Sequence, residues 1–160
     1  MIKKSFRIVL AALLAFSCIF TLPVLAESDS DIAPLSVVTA SQTVSDSAGN
    51  RFFVTGTSYR STSNCVSTTT FETTFYREGT EEAKRVLDNR AKTLTAAGTV
   101  SMVNGASTRY SGSSSPTGAT GSYSKSSDTL LYYPVLVSGT HSFSCNGASW
   151  SGASSDNLLN

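Results

Sequence analysis

Residues 141–150 read His-Ser-Phe-Ser-Cys-Asn-Gly-Ala-Ser-Trp and predict a tight β-hairpin. Asn146-Gly147 is a strong two-residue turn signal, because both positions accept the positive φ that a type I′ turn requires. Folding the chain about this turn pairs Phe143 with Trp150 across the two strands. Because side chains alternate between the two sides of a strand, the bulky residues share one face, namely His141, Phe143, Cys145 and Trp150. We therefore expect this face to lie in the core of an antiparallel sheet.

The same alternation recurs upstream of the hairpin and predicts longer strands. Arg51–Ser61 is rich in aromatic and β-branched residues, which favour strands. Asn64–Arg77 is the longest strand candidate, and its alternation places Cys65 on the same face as Phe71 and Phe75. We expect that face, like the hairpin face, to point into the core.

Shorter segments extend the β pattern in both directions. Val37–Val44 predicts a first strand, and Thr99–Val103 with Ala106–Tyr110 predicts a second hairpin around another Asn-Gly pair. Thr129–Ser138 is the most hydrophobic segment after the N-terminal apolar run, and it predicts a strand that is buried on both sides. Pro134 within it lacks a backbone N–H, so we expect that stretch at an edge or a bulge.

Three features interrupt the strand pattern. Gly56 within its strand indicates a bulge or a close backbone approach. Ser111–Asp128 is mostly Ser, Gly, Thr and Lys, and it predicts a solvated loop or a weak strand. Over Thr80–Ala97 the apolar residues recur at three- and four-residue steps, with Thr80 as a suitable N-cap. We expect one α-helix there, over about residues 81–96.

These elements predict a mainly β fold, an antiparallel β-sandwich of about seven short strands with one inserted short α-helix. The length suits a single domain over residues 36–152, followed by a flexible tail over residues 153–160. The domain has the size of an immunoglobulin-like module, although Trp150 follows the second cysteine of the domain rather than the first. The sequence therefore indicates an architecture and not a family.

The N-terminus has the pattern of a secretory signal peptide. Residues 1–26 begin with three basic side chains, continue in an apolar run and end in Val24-Leu25-Ala26. Signal peptidase cleavage is expected between Ala26 and Glu27, and residues 27–35 then form a flexible leader. The alternative is a retained membrane anchor. The pattern favours a secreted, extracellular or cell-surface-associated protein.

Cleavage would leave two cysteines in an oxidising compartment. It would remove Cys18, so that Cys65 and Cys145 remain as an even pair. Both fall on aromatic-bearing strand faces, and we expect them to form a disulfide. Two buried free thiols, or a bridge between two molecules, are the alternatives.

Charge and residue content exclude several classes of function. The full chain has 12 Lys and Arg against 11 Asp and Glu, which is not the basic surface that nucleic-acid binding needs. One His and three Cys are too few for a zinc ribbon, and no phosphate-cradling Gly-rich loop occurs. We therefore expect no nucleic-acid partner, no metal site and no cofactor.

A catalytic constellation is also not expected. His141 is the only imidazole, so any His-dependent acid–base scheme must use it, and its core-facing position favours a hydrogen-bonded structural histidine. No Gly-x-Ser-x-Gly nucleophile elbow occurs. We expect no catalytic residues, and a secreted hydrolase ranks third among the functional hypotheses.

Tyrosines are the candidate binding residues. Exposed tyrosine offers a large contact area at low entropy cost, and the candidates are Tyr59, Tyr76, Tyr110, Tyr132 and Tyr133. They predict a non-catalytic module that binds an extracellular protein or glycan, although ordinary strand tyrosines are the structural alternative.

The second functional hypothesis is a small secreted bacteriocin-like or toxin-like effector that acts on target cells through the amphipathic segment 80–97. The acidic and basic residues of this segment are too balanced for a membrane-lytic face. We therefore expect no membrane contact after signal cleavage.

Overall fold

The computed structural model describes residues 37–159, which form a mainly β protein with one short helix. In chain order the elements are β1 (Ala40–Ser45), β2 (Arg51–Arg60), β3 (Cys65–Phe75), α1 (Glu81–Asn89), β4 (Thr93–Met102), β5 (Ser107–Ser114), β6 (Thr120–Ser126), β7 (Pro134–Cys145) and β8 (Ala148–Asn157). The predicted signal peptide, its cleavage site at Ala26 and Glu27, and the leader over 27–35 lie outside the described residues. Across this described range, no helix has the length and apolar content to cross a membrane.

The strands form two four-stranded antiparallel sheets. The front sheet has the order β1-β2-β3-β6, and the back sheet has the order β5-β4-β7-β8. The Phe143 ring of the back sheet contacts Phe52 and Phe71 of the front sheet, with ring centroids 5.2 and 5.3 Å apart. These contacts confirm the predicted β-sandwich. Within residues 37–159 it has eight strands rather than about seven, and an isolated β-bridge joins Val38 to Ser155.

The C-terminal hairpin has the predicted register. Phe143 pairs with Trp150, and Cys145 pairs with Ala148. Both turn residues have positive φ, 48° at Asn146 and 88° at Gly147, as a type I′ turn requires. Local turn chemistry and side-chain alternation were therefore sufficient to fix this part of the fold.

The space between the sheets is divided into three layers. The end that carries α1, called the helix end, holds the larger apolar cluster around Phe52, Phe71 and Phe143. The opposite end, called the loop end, holds a smaller cluster that includes Val100 and Val137. A buried polar layer lies between the clusters and consists of Ser58, Ser67, Thr69, His141 and Ser154.

Glycines on the inner strand faces make room for large rings. A Cβ atom at Gly56 would overlap the His141 ring, and one at Gly98 would overlap the Tyr110 ring. The close approach predicted at Gly56 is therefore confirmed. The group that approaches Gly56 closely is the His141 imidazole, which lies at the centre of the polar layer.

The helix is shorter than predicted. It is capped by Thr80, whose hydroxyl accepts a hydrogen bond from the Ala83 N–H, but it ends at Asn89 and not near residue 96. Leu94 fits both the helical period and the strand alternation, and in the structure it is a buried residue of β4. β4 pairs with β5 on one side and β7 on the other, so tertiary pairing overrides the local helical period of this segment.

The predicted tail over 153–160 is also wrong for most of its length. β8 continues to Asn157, and Leu158 packs in the loop-end core. The segment was missed because the core-facing positions Ser154 and Asp156 are polar. In the serine-rich stretch 111–128, for which a loop or a weak strand was predicted, β5 and β6 occupy much of the length, as the strand alternative expected.

Phe75 does not share the core face with Phe71. The register shifts where Arg51 pairs with Phe75 and Phe52 pairs with Thr73, which is a β-bulge. The extra residue turns Phe75 outward, where it is 42% exposed. Simple alternation cannot detect such a shift.

The predicted disulfide is wrong as well. Cys65 and Cys145 are free, and both are buried. Cys65 packs in the loop-end core with Val137, whereas Cys145 packs in the helix-end core. Val137 and Cys145 are eight residues apart on β7, a span of about 26 Å at the usual strand rise of about 3.3 Å per residue. Alternation correctly predicted that each cysteine faces the core. It carries no information about whether a residue lies near the helix end or the loop end of the sandwich.

Candidate binding surface

His141 occupies the centre of the polar layer and is 2% exposed. Its Nδ1 lies 3.0 Å from the Thr69 hydroxyl, and its Nε2 lies 2.7 Å from the Ser154 hydroxyl. The Thr69 hydroxyl also donates a hydrogen bond to the Thr95 carbonyl. Both ring nitrogens are therefore engaged inside the protein, and the ring has no open face for a substrate.

A chain of hydroxyl groups continues from His141 across the interior. The Ser58 hydroxyl oxygen lies 2.8 Å from the hydroxyl oxygen of Ser154 and 2.8 Å from that of Ser67. The Ser67 hydroxyl oxygen in turn lies 3.1 Å from the Tyr110 hydroxyl oxygen. Burial lowers the pKa of His141, because the charged imidazolium is poorly solvated there. Burial therefore favours the neutral imidazole, and the hydroxyl chain joins the two sheets.

Two of the five candidate tyrosines are committed to the fold. Tyr110 is 8% exposed and ends the hydroxyl chain. Tyr76 is half-buried and donates a 2.7 Å hydrogen bond to Asp88 of α1. Burial, together with this bond, raises the pKa of Tyr76 to about 12. Neither hydroxyl is available to a ligand.

The helix end also contains a buried lysine. Lys92 is fully buried, and its ammonium group donates to the Leu87 and Asp88 carbonyls at 2.7 and 3.1 Å. These carbonyls belong to the last turn of α1, where a cation is favoured by the helix dipole. Burial lowers the pKa of Lys92, and its two hydrogen bonds attach the last turn of α1 to the segment that leads into β4.

The remaining candidates lie at the loop end. The segment 129–138 was predicted to be a buried strand, but β7 begins only at Pro134, beside a register shift. In the preceding loop Leu131 is 89% exposed, and Tyr132 and Tyr133 are each 54% exposed. The first part of this hydrophobic segment, residues 131–133, therefore faces solvent, whereas Val137 is buried, so the prediction of burial is wrong for that first part.

Backbone hydrogen bonds hold this loop against its neighbours. Leu130 donates to the Ser63 carbonyl at 3.0 Å, and Val103 donates to the Tyr133 carbonyl at 3.0 Å. The second bond places Val103, itself 67% exposed, beside Tyr133. We call Val103, Leu131, Tyr132 and Tyr133 the loop-end patch. Val103 and Leu131 were not among the predicted binding residues, because hydrophobicity by itself indicates burial.

Two further features adjoin the loop-end patch. The Arg60 guanidinium lies 4.6 Å from the centre of the Tyr133 ring, a cation–π contact that holds this ring. Tyr59, 40% exposed, is the adjacent residue on β2 but belongs to the outer face of the front sheet. A cavity of about 240 Å³ lies beside Tyr132, with Met102 and Leu130 among its lining residues.

No protein-family model, curated protein or solved structure matches the chain. Residues 37–159 contain no group of three or more His, Cys, Asp or Glu side chains that is arranged to hold a metal ion. The geometry of this chain is therefore the evidence for its function. Its most unusual surface feature is the loop-end patch.

Proposed function

We propose that the protein is a non-catalytic, secreted or surface-associated binding module whose loop-end patch contacts an extracellular protein partner. The observation that carries the proposal is the exposure of four large apolar side chains in one place. Soluble proteins rarely leave such groups together in water unless they contact a partner. Tyrosine is also enriched in the cores of protein interfaces.

The aliphatic members favour a protein over a glycan at this site. Leu131 and Val103 offer no ring on which a sugar could stack, but burying them against an apolar pocket removes hydrocarbon surface from water. The backbone bonds of the loop also reduce the entropy that binding would cost. A partner with an apolar cleft complements this surface best.

The membrane-active alternative has weaker support. It depended on one amphipathic segment over residues 80–97. In the structure this segment is divided between α1 and β4, and the buried Leu94 and Ala96 belong to the sheet core. The binding module therefore remains the leading proposal.

A random-peptide display library provides a defined probe for this function. Peptides selected on the wild-type protein should fail to bind the triple variant Leu131→Ser/Tyr132→Ser/Tyr133→Ser. They should still bind the matched control Phe53→Ser, which changes an exposed aromatic on another surface. Equal binding to all three proteins, or no enrichment on the wild type, would contradict the proposed role of the loop-end patch.

A further inference from the structure

The outer face of the front sheet carries a regular array of side chains that the proposed function does not use. The pairing of β2, β3 and β6 aligns four cross-strand rows. The rows are Phe53-Glu72-Thr120, Thr55-Thr70-Ser122, Thr57-Thr68-Ser124 and Tyr59-Val66-Ser126. We call these twelve positions the hydroxyl face, because its two central rows consist entirely of Ser and Thr.

Exposed aromatic residues bracket the central rows. Phe53 is 42% exposed and Tyr59 is 40% exposed, and both project from the outer side of β2. They are six residues apart, a distance of about 20 Å at the usual strand rise of about 3.3 Å per residue. A ligand that touches both rings must therefore be extended, and it must lie over the hydroxyl groups between them.

The first two rows enclose a shallow groove of about 460 Å³ beside Phe53. Its lining includes the Glu72 side chain and the hydroxyls of Thr55, Thr70 and Ser122. A carboxylate accepts hydrogen bonds, whereas a hydroxyl both donates and accepts. The groove thus combines one aromatic surface with several groups that can bind a polyhydroxylated molecule.

The back sheet provides an internal comparison. Its outer positions also carry small residues, such as Thr99, Ser138, Thr140 and Ala153. Along the described strands, none of these outer back-sheet positions is aromatic. Hydroxyl groups are thus the general surface of this sandwich, whereas exposed rings in register with them occur on the front sheet.

We infer that the hydroxyl face binds a neutral, linear polysaccharide. A pyranose ring has an apolar C–H face that packs on an aromatic ring and an equatorial set of hydroxyls that hydrogen-bond to Ser, Thr and carboxylate groups. Glu72 is the only ionisable carboxylate or cation among the twelve positions, so these positions supply no cation to an anionic polymer. This site lies on a different surface from the loop-end patch and does not depend on it.

Electrophoresis in native gels that contain a soluble polysaccharide tests the inference directly. Hydroxyethyl cellulose, xylan and glucomannan serve as neutral probes, and polygalacturonate serves as the anionic comparison. At least one neutral polymer should retard the wild-type protein, and polygalacturonate should not. Phe53→Ser and Tyr59→Ser should each weaken the affinity by about fivefold or more, which is the usual effect of losing one important contact. Glu72→Gln should weaken binding without changing the preference for neutral polymers.

The controls separate this inference from the proposed function. The triple variant Leu131→Ser/Tyr132→Ser/Tyr133→Ser should be retarded like the wild type, and all variants should retain the wild-type melting temperature within a few degrees. Failure of all three neutral polymers to retard the protein would overturn the inference, and so would retardation that neither Phe53→Ser nor Tyr59→Ser changes. Loss of retardation in the triple variant alone would show that the polysaccharide binds at the loop end. That result would overturn the inference about the hydroxyl face but not the proposal that the protein is a binding module.

Discussion

The two ends of the sandwich use similar side chains in opposite ways. At the helix end the Tyr76 hydroxyl is bonded to Asp88, and the Lys92 ammonium is buried against the last turn of the helix. At the loop end Tyr132 and Tyr133 are each 54% exposed. The difference shows that residue type does not distinguish a tyrosine that is bonded within the fold from one that stays exposed. What distinguishes them is whether the fold already supplies a partner.

Lys92 provides the largest expected effect at the helix end. Lys92→Ala should reduce the free energy of unfolding by about 2–4 kcal/mol, because it removes a buried stem and leaves two helix carbonyls without a donor. The matched control is Lys84→Ala, since Lys84 is an exposed lysine on α1, the helix whose carbonyls Lys92 contacts. Urea denaturation of both variants measures the effect. Equal stabilities would show that Lys92 does not attach the helix.

The polar layer between the two ends should make stability depend on pH. His141 has a lowered pKa in the folded protein, so below its ordinary value near 6.5 the unfolded chain binds a proton that the folded chain does not. Stability should therefore fall as the pH drops from 7.5 to 5, by no more than about 2 kcal/mol. The loss stops once the pH reaches the folded pKa.

Urea denaturation at several pH values measures this dependence, with His141→Gln as the comparison. The variant should have lower stability but a flatter profile between pH 5 and 7.5. Asp46 does not contribute to the change between pH 5 and 7.5. Its pKa is lowered from 3.8, so its contribution to stability is lost only at more acidic pH. A wild-type profile as flat as that of the variant would contradict the neutral, buried histidine.

Removing a single hydroxyl compares the two ends most closely. Tyr76→Phe should cost about 1 kcal/mol, because it breaks the hydrogen bond to Asp88 at a half-buried position. Tyr133→Phe should change stability by less than about 0.5 kcal/mol, as is usual for exposed positions. Thermal and urea unfolding of the pair measure the difference. Similar losses in both variants would remove the distinction between the ends.

The cysteines should contribute no covalent stability. The wild-type melting temperature should be the same with and without a reductant, because Cys65 and Cys145 lie in different core clusters. Burial raises the pKa of Cys65 to about 11, so this thiol should react with alkylating reagents only after unfolding. A melting temperature that falls in reductant would contradict the free cysteines and show that the two thiols form a disulfide.

The sequence was informative where local chemistry determines structure. The Asn146-Gly147 turn fixed the hairpin register, and Thr80 fixed the start of the helix. It was uninformative where tertiary contacts decide between two compatible patterns. Leu94 satisfies both a helix and a strand, and pairing between β4 and β7 makes it a strand residue.

The candidate sites show the same limit. Alternation predicted that Tyr59 lies on a strand, but only the alignment of β2, β3 and β6 reveals its place on the hydroxyl face. Hydrophobicity predicted that Leu131 is buried, whereas it is 89% exposed. A bulge in β3 likewise reversed the face assigned to Phe75. Register shifts and loop exposure depend on contacts between distant segments, which periodicity does not contain.

The most direct test of the contrast between the ends measures stability and binding in one variant. Leu131→Ser/Tyr132→Ser/Tyr133→Ser should unfold within about 1 kcal/mol of the wild type, because all three side chains are exposed. The same variant should lose binding to peptides selected on the wild-type protein. A large loss of stability, or binding that survives unchanged, would show that the loop-end patch belongs to the fold and not to a binding site.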